Sequence, residues 1–253
     1  MGITIMVTLG KRNDIVTTKY NHNEWFVAVV EKIIVESPMV KSFYFHAPHE
    51  LHHLAGQHYE LRLTAENGYQ ATRVYSVASA SNGDSLLQLT IMNVPDGEVS
   101  PYISEQLKVG DEVEIRGPFG KFFVWTSENT RPVLLIGGGS GVVPMHAFLS
   151  VHATSNSDVP MRLLYSARRY DDILYKDTFL NNENVHITLT QDEPVGWTGD
   201  LGRINESMVR NVLEGLDGPV CYICGMSAFV DAASNLLIEL GIPAKDILTE
   251  RFG

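Results

Sequence analysis

Pro132-Val-Leu-Leu-Ile136 has no polar face, and it runs directly into Gly137-Gly-Gly-Ser-Gly141. A strand that is apolar on both sides must be covered on both sides, as happens in a parallel sheet with crossover helices. The residues downstream repeat that demand. Met161-Arg-Leu-Leu-Tyr165, Val185-His-Ile-Thr-Leu-Thr190 and Pro219-Val-Cys-Tyr-Ile-Cys224 read as further strands. Between and after them, helices are expected from about Pro144 to His152, from Asn205 to Glu214 with Asn205 as cap, and from Ser227 to Leu240, ended by Gly241-Ile-Pro243. Strands alternating with helices make the chain beyond Arg131 an α/β unit.

The first half has a different grain. From about Trp25 to Trp125, short β-like runs are broken by turn signals: Phe26 to Val35, Val40 to His46, His58 to Leu63, Val74 to Val77, Leu86 to Asn93 and Glu112 to Arg116. Asn67-Gly68, Asn82-Gly83 and Asp96-Gly97 are hairpin-type dipeptides. Many short strands at regular spacing indicate an antiparallel barrel or sandwich. One helix interrupts them, with Ser100 as expected cap, Pro101 in its first turn and Gly110 past its end. The polar stretch Ser127-Glu-Asn-Thr130 separates the patterns, so the expected units are 1–127 and 128–253, with 1–24 an arm or an added strand.

Composition narrows the function. Of 253 residues, 44% are hydrophobic, too many for a solvated chain, yet no apolar run is long enough to span a membrane. Thirty acidic against 19 basic residues give a net charge of -11, which would repel a nucleic-acid backbone. No secretory signal opens the chain, and Met1-Gly2 is followed at position 6 by Met rather than by the hydroxyl residue of a myristoylation site. These features point to a soluble cytoplasmic protein. Two cysteines, Cys221 and Cys224, exclude a disulfide scaffold or a four-cysteine metal site within the chain. They lie three apart in one strand and so face opposite ways, which leaves Cys221 as a small buried hydrophobe. His52-His53 reads as a solvated loop pair without a third ligand, and Gly196-Trp197 as a packing turn.

Four clusters could carry chemistry. Glycines after the strand at 133–136 let backbone amides approach a pyrophosphate, although a tight strand–helix turn needs them equally. Tyr165-Ser-Ala-Arg-Arg169 ends the next strand, where a dinucleotide-binding sheet meets the adenosine ribose. Ser166, Arg168 and Arg169 there suit a 2′-phosphate and favour NADPH over NADH; the competing reading is a surface pair answering Asp171 and Asp172. Arg73-Val-Tyr-Ser76 gathers a cation, an aromatic and a hydroxyl, with Arg73 and Tyr75 on one face of a strand. Val94-Pro-Asp-Gly-Glu-Val-Ser100 brings a glycine to the start of a helix, a second possible anion site.

In this order the motifs resemble the ferredoxin–NADP reductase family. Arg73-x-Tyr-Ser76, Gly97-x-x-Ser100 and Gly117-Pro-Phe-Gly-Lys-Phe122 look like its flavin half; Gly137 to Pro144, Ser166-Ala-Arg168, Cys224-Gly225 and Glu250-Arg-Phe-Gly253 look like its nucleotide half. Val94-Pro-Asp-Gly-x-x-Ser-Pro101 is most similar to the bacterial flavodoxin/ferredoxin reductases. The resemblance implies an antiparallel Greek-key FAD-binding barrel followed by a parallel-sheet nucleotide domain. It implies that Arg73, Val74, Tyr75 and Ser76, the strand from Ile91 to Asn93, and Gly97, Glu98, Val99 and Ser100 hold FAD. Within that set Arg73 neutralises the pyrophosphate, Tyr75 stacks on the ring and Ser76 bonds flavin N5. It implies that Gly138, Gly139 and Ser140 meet the NADPH pyrophosphate, that Cys224 and Gly225 lie at the nicotinamide, and that Glu250 closes the site beside Phe252. The implied activity moves hydride from NADPH to flavin and single electrons to a separate ferredoxin, flavodoxin or oxygenase component. The alternatives are an NADH-dependent oxygenase reductase and a non-catalytic NADP(H) sensor. Carriers of this kind are usually acidic, so docking them on an acidic chain requires a local basic patch, for which Lys41, Arg62 and Lys121 are the candidates.

Overall fold

A computed structural model describes residues 21–252 apart from Asn82; the expected arm up to residue 20, and Asn82 of the Asn82-Gly83 dipeptide, lie outside the described residues. The first half builds β1 (Phe26–Ser37), β2 (Val40–His46), β3 (His58–Thr64), β4 (Gln70–Ser76), β5 (Leu86–Met92), the short helix α1 (Ser100–Gln106) and β6 (Glu112–Phe119). All pairings are antiparallel, in the order β4-β3-β6-β1-β2-β5. A bridge between Val77 and Leu89 brings the two edges together and curls the sheet toward closure. Alternation decides which residues go inside. Phe43, Phe45, Leu87, Leu89 and Ile91 point inward and are wholly buried, while Ser42, Gln88 and Thr90 lie on the opposite face.

The second half builds β7 (Val133–Gly138), α2 (Val142–Thr154), β8 (Met161–Ala167), α3 (Lys176–Leu180), β9 (Val185–Leu189), β10 (Asp200–Leu201), α4 (Glu206–Leu213), β11 (Val220–Met226), α5 (Ser227–Glu239) and β12 (Ile247–Phe252). The sheet is wholly parallel, in the order β10-β9-β8-β7-β11-β12. Its two faces belong to different cores. Leu135, Leu163 and Cys224 join the core shared with the barrel, whereas Leu134, Ile136, Leu164 and Cys221 pack under α4 and α5. The two thiols therefore face apart, as their spacing requires. Among the described residues no helix is long and apolar enough to cross a membrane.

Three local expectations need correction. Asn205 caps α4, accepting the Met208 N–H at 3.1 Å, but Ser100 does not cap α1. Val99 is already helical there, so Ser100 lies inside the helix, and its hydroxyl turns back to accept the Val94 N–H at 3.1 Å. Asp96-Gly97 links a strand to a helix rather than two strands, with the left-handed residue at Asp96. His53 is not solvated: it is buried, its Nε2 is 3.1 Å from the Ser79 carbonyl, and burial lowers its pKa.

The polar outer face of β2 and β5 is buried because the second half docks on it. Tyr175, left-handed at φ 51° at the start of α3, donates its hydroxyl to Thr90 Oγ1 at 2.6 Å. Thr90 lies 2.8 Å from Ser42, and Ser42 donates to Glu36 Oε1 at 2.6 Å. The other oxygen of Glu36 accepts the Tyr175 N–H at 3.3 Å, which closes the ring. A carboxylate only accepts, so Ser42 must spend its proton on Glu36 and Thr90 must donate to Ser42. His146 of α2 stacks on Tyr175 at 3.9 Å and bonds the Ala78 carbonyl at 2.5 Å, and Tyr222 donates to the Val124 carbonyl at 2.9 Å. The two sheets are thereby held in one register by oriented hydrogen bonds as well as by apolar packing.

Tyr175→Phe and Thr90→Val should each lower stability by about 1 kcal/mol in urea unfolding. The double variant should lose less than the sum, with a coupling of about 0.5 kcal/mol or more. Strict additivity would show that the hydroxyls act separately.

Candidate functional site

The parallel sheet starts in its middle. From β7 the chain builds outward through β8, β9 and β10, then returns to lay β11 and β12 on the other side. Connections leaving the carboxyl ends of β7 and β11 diverge, which opens a cleft there. The glycine run makes the turn possible. A Cβ on Gly141 would lie 2.1 Å from the Cys224 carbonyl oxygen, so only glycine lets α2 begin against the end of β11. Gly139 sits at φ 55° with open space around it.

This cleft faces the open side of the barrel, and together they enclose a cavity of about 430 Å³, within the size range of small-molecule sites. Arg73, Val74, Tyr75 and Ser76 line it from β4; Thr90, Met92 and Val94 from β5 and its exit; Gly97, Glu98, Val99 and Ser100 from the start of α1. The second half adds Ser140, Val143, Arg251 and Phe252. The walls are mostly apolar, and two guanidiniums, those of Arg73 and Arg251, stand among them. Arg73 forms a 3.2 Å ion pair with Glu98 and donates to the Thr72 carbonyl at 2.8 Å. The hydroxyls of Tyr75, Ser76 and Ser140 have no hydrogen-bond partner among the described residues. Burial pushes the Tyr75 phenol up to about 12, so it stays neutral. A flat apolar ring carrying an anionic tail matches this lining, and the residues present fit a flavin dinucleotide.

The remaining residues singled out in the sequence are not part of the cavity lining. Ile91 points into the barrel core, and its neighbours Thr90 and Met92 reach the cavity instead. Asn93 turns its amide to Glu105 at 3.4 Å. Gly138 and Gly139 precede Ser140 at the end of β7, and Ser166 lies beside Gly138 on β8. Arg168 and Arg169 are exposed, and neither pairs with Asp171 or Asp172; Asp171 is 3.7 Å from Lys176. Cys224 is fully buried, and that burial, with the Glu250 carboxylate nearby, raises its thiol pKa well above the usual range. Glu250 lies beside Cys224 in register on β12, and burial pushes its carboxyl up to about 7. Gly225 follows at the mouth of β11.

Other parts of the site escape a reading of the sequence. Strand β12, whose only signal is the faint alternation from Ile247 to Phe252, carries the expected Phe252 to the cavity together with Arg251, which the sequence gives no reason to single out. Thr90 gives no signal, because its role depends on a partner 85 positions away. Of the expected basic patch, Lys41 donates to the Ser104 carbonyl at 2.6 Å, and Arg62 binds both oxygens of Glu114 while lying 4.1 Å over Trp25. Both are engaged inside the fold, which leaves Lys121.

The sequence matches the family model of the oxidoreductase FAD-binding domain over residues 27–124 and that of the oxidoreductase NAD-binding domain over residues 135–235. It is 31% identical over 204 residues to a component of the Na(+)-translocating NADH-quinone reductase of Idiomarina loihiensis, covering 73% of this chain and 49% of that protein. It is 26% identical over 234 residues to the phenol hydroxylase P5 protein of Acinetobacter pittii, covering 90% and 65%. The chain thus spans about half to two thirds of the length of these curated relatives. Among solved structures, the FAD/NAD binding domain of nitric oxide dioxygenase from Vibrio cholerae superposes with a TM-score of 0.78 at 26% identity, over 90% of this chain and 98% of that one.

Glu250 gives a signed pH dependence. Its folded pKa of about 7 exceeds the ordinary 4.5, so the native state is favoured by the protonated form. The stability this contributes is complete below about 4.5, falls as pH rises toward about 7, and is flat above that. Glu250→Gln should therefore gain thermal stability relative to the parent between pH 5 and pH 8. A constant difference in Tm across that window would show that the carboxyl is ordinary.

Proposed function

This chain belongs to the oxidoreductase family whose members join an FAD-binding domain to an NAD-binding domain on the ferredoxin reductase-like fold; we propose that it takes hydride from NADPH at N5 of a bound FAD and passes electrons singly to a separate carrier protein. The carrier is a ferredoxin, a flavodoxin or the next component of an oxygenase system. The observation that carries the reading is the cavity in which Arg73, Tyr75 and Ser76 from one strand of the barrel meet Ser140 and Phe252 from the other half. In this reading residues 1–127 serve the flavin and 128–253 the nucleotide.

When bound, FAD supplies the exchange between a two-electron donor and one-electron acceptors. The side chains bind, orient and exclude water. Arg73 and the amides of residues 97–100 take the pyrophosphate. Tyr75 offers a neutral aromatic face, and the Ser76 hydroxyl, without a hydrogen-bond partner among the described residues, is available to N5. Gly138, Gly139 and Ser140 receive the pyrophosphate of the nicotinamide nucleotide, and Ser166, Arg168 and Arg169 its 2′-phosphate. Cys224, protonated and buried, with Gly225 would present a small uncharged surface to the nicotinamide, with Glu250 beside Cys224 on β12 and Phe252 in the cavity wall. Hydride leaves carbon with its electrons, so no side chain has to act as a base at that carbon; the chain contributes orientation and a dry site.

Arg168 and Arg169, exposed after β8 and without an ion pair among the described residues, support NADPH. A second reading, with NADH as donor, is favoured by the name of the Idiomarina loihiensis relative, part of an NADH-quinone reductase. The phenol hydroxylase relative supports an oxygenase component as acceptor.

Purified protein mixed with FAD should show a flavin spectrum that NADPH bleaches in the absence of oxygen; a colourless protein would indicate a nucleotide sensor. Arg168→Ala should raise the KM for NADPH about tenfold or more while leaving that for NADH nearly unchanged. A parent kcat/KM for NADH equal to or above that for NADPH would assign NADH. Tyr75→Ala should weaken FAD binding about tenfold.

A further inference from the structure

Both arginines that line the cavity are already held by carboxylates. Arg251 binds Asp231 at 2.6 Å, and Arg73 binds Glu98 at 3.2 Å. Asp231 is outside the cavity lining, but Glu98 is part of it, and it is the one carboxylate among the lining residues. The exposed Tyr69, beyond the β3–β4 hairpin turn, lies near enough to the same carboxylate for it to raise the Tyr69 pKa. Glu98 thus joins the segment before α1 to Arg73 across the cavity mouth. A site that must take a doubly charged pyrophosphate has a fixed negative charge beside the cation expected to receive it.

We propose that Glu98 sets how tightly this chain holds its flavin, by occupying Arg73 while the site is free and by repelling the pyrophosphate once it is filled. The inference rests on the FAD reading above, with Arg73 as the pyrophosphate ligand. Two charges a few ångströms apart in a half-exposed setting interact through a high effective dielectric, so the pair does not lock the site shut. It does subtract from flavin affinity, and it does so in a salt-dependent way. The consequence is a flavin that exchanges with free FAD instead of staying permanently bound.

The test is the dissociation constant of FAD for the flavin-free full chain, measured by flavin fluorescence and by calorimetry. Glu98→Gln keeps the shape of the side chain and removes its charge, and it should bind FAD about tenfold more tightly at low ionic strength, with the advantage shrinking in high salt. Riboflavin, which lacks the pyrophosphate, should bind parent and variant equally. Glu98→Ala, a second variant without the charge, should shift FAD binding in the same direction. FAD affinity unchanged or weakened in both variants overturns the proposal, and so does an equal tightening toward riboflavin, which would mark a loosened loop instead of a removed charge. Arg73→Ala separates the two levels. If it weakens FAD while Glu98→Gln does nothing, the FAD reading stands and the role of Glu98 falls. If Arg73→Ala leaves FAD binding unchanged, the pyrophosphate lies elsewhere and both fall.

Discussion

The ring of hydrogen bonds through Glu36, Ser42, Thr90 and Tyr175 makes the two halves one object. Without it the barrel would present a polar outer face to water and the parallel sheet would lack a fixed distance from that face. Its orientation follows from one fact, that a carboxylate can only accept. From Glu36 outward each hydroxyl has a single arrangement that satisfies its neighbour, so the network has one low-energy state and the domains have one relative position. Thr90 belongs both to this ring and to the cavity wall. The element that sets the spacing between the halves therefore also shapes the space in which their ligands meet.

Chain order accounts for the rest of the site. Because the parallel sheet begins at its centre, the ends of β7 and β11 are where successive connections leave in opposite directions. Glycine is required there for packing as much as for binding. Gly141 has to let α2 start against the backbone of Cys224, and within the run Gly139 is left exposed at a positive φ. The tight-turn reading of the glycine run is what this contact shows, and the phosphate site proposed for the run would use the same turn.

Much of this is legible in the residues themselves. The periodic switch near Ser127 to Thr130, the doubly apolar strands, the Asn205 cap and the opposed cysteines all follow from local spacing, and spacing is what a strand or helix reads directly. What is not legible depends on distant partners. Ser100 looks like a cap until the conformation of Val99 is known. His53 looks solvated until the Ser79 carbonyl arrives beside it, and Lys41 and Arg62 look free until Ser104 and Glu114 claim them. Strand β12 is a weak pattern that becomes a strand only because β11 offers it an edge.

Charge ties the fold to its use. With a net charge of -11 the chain spends several cations internally: Arg62 and Arg116 flank Trp25 while bound to Glu114 and Glu60, and Arg131 binds Asp246. Such pairs stabilise strand packing and leave the excess of carboxylates, and so the net negative field felt at a distance, in place. Under the proposed reading, an acidic electron carrier would be repelled at long range, so its recognition would rest on short-range contact near the cavity mouth. That mouth carries exposed apolar side chains, Val74, Met92 and Val94, on the barrel side. Under that reading a partner that is neutral or weakly charged where it touches this rim suits the surface better than a strongly acidic one, because its carboxylates would be buried against arginines that Glu98 and Asp231 already pair, at a cost in desolvation.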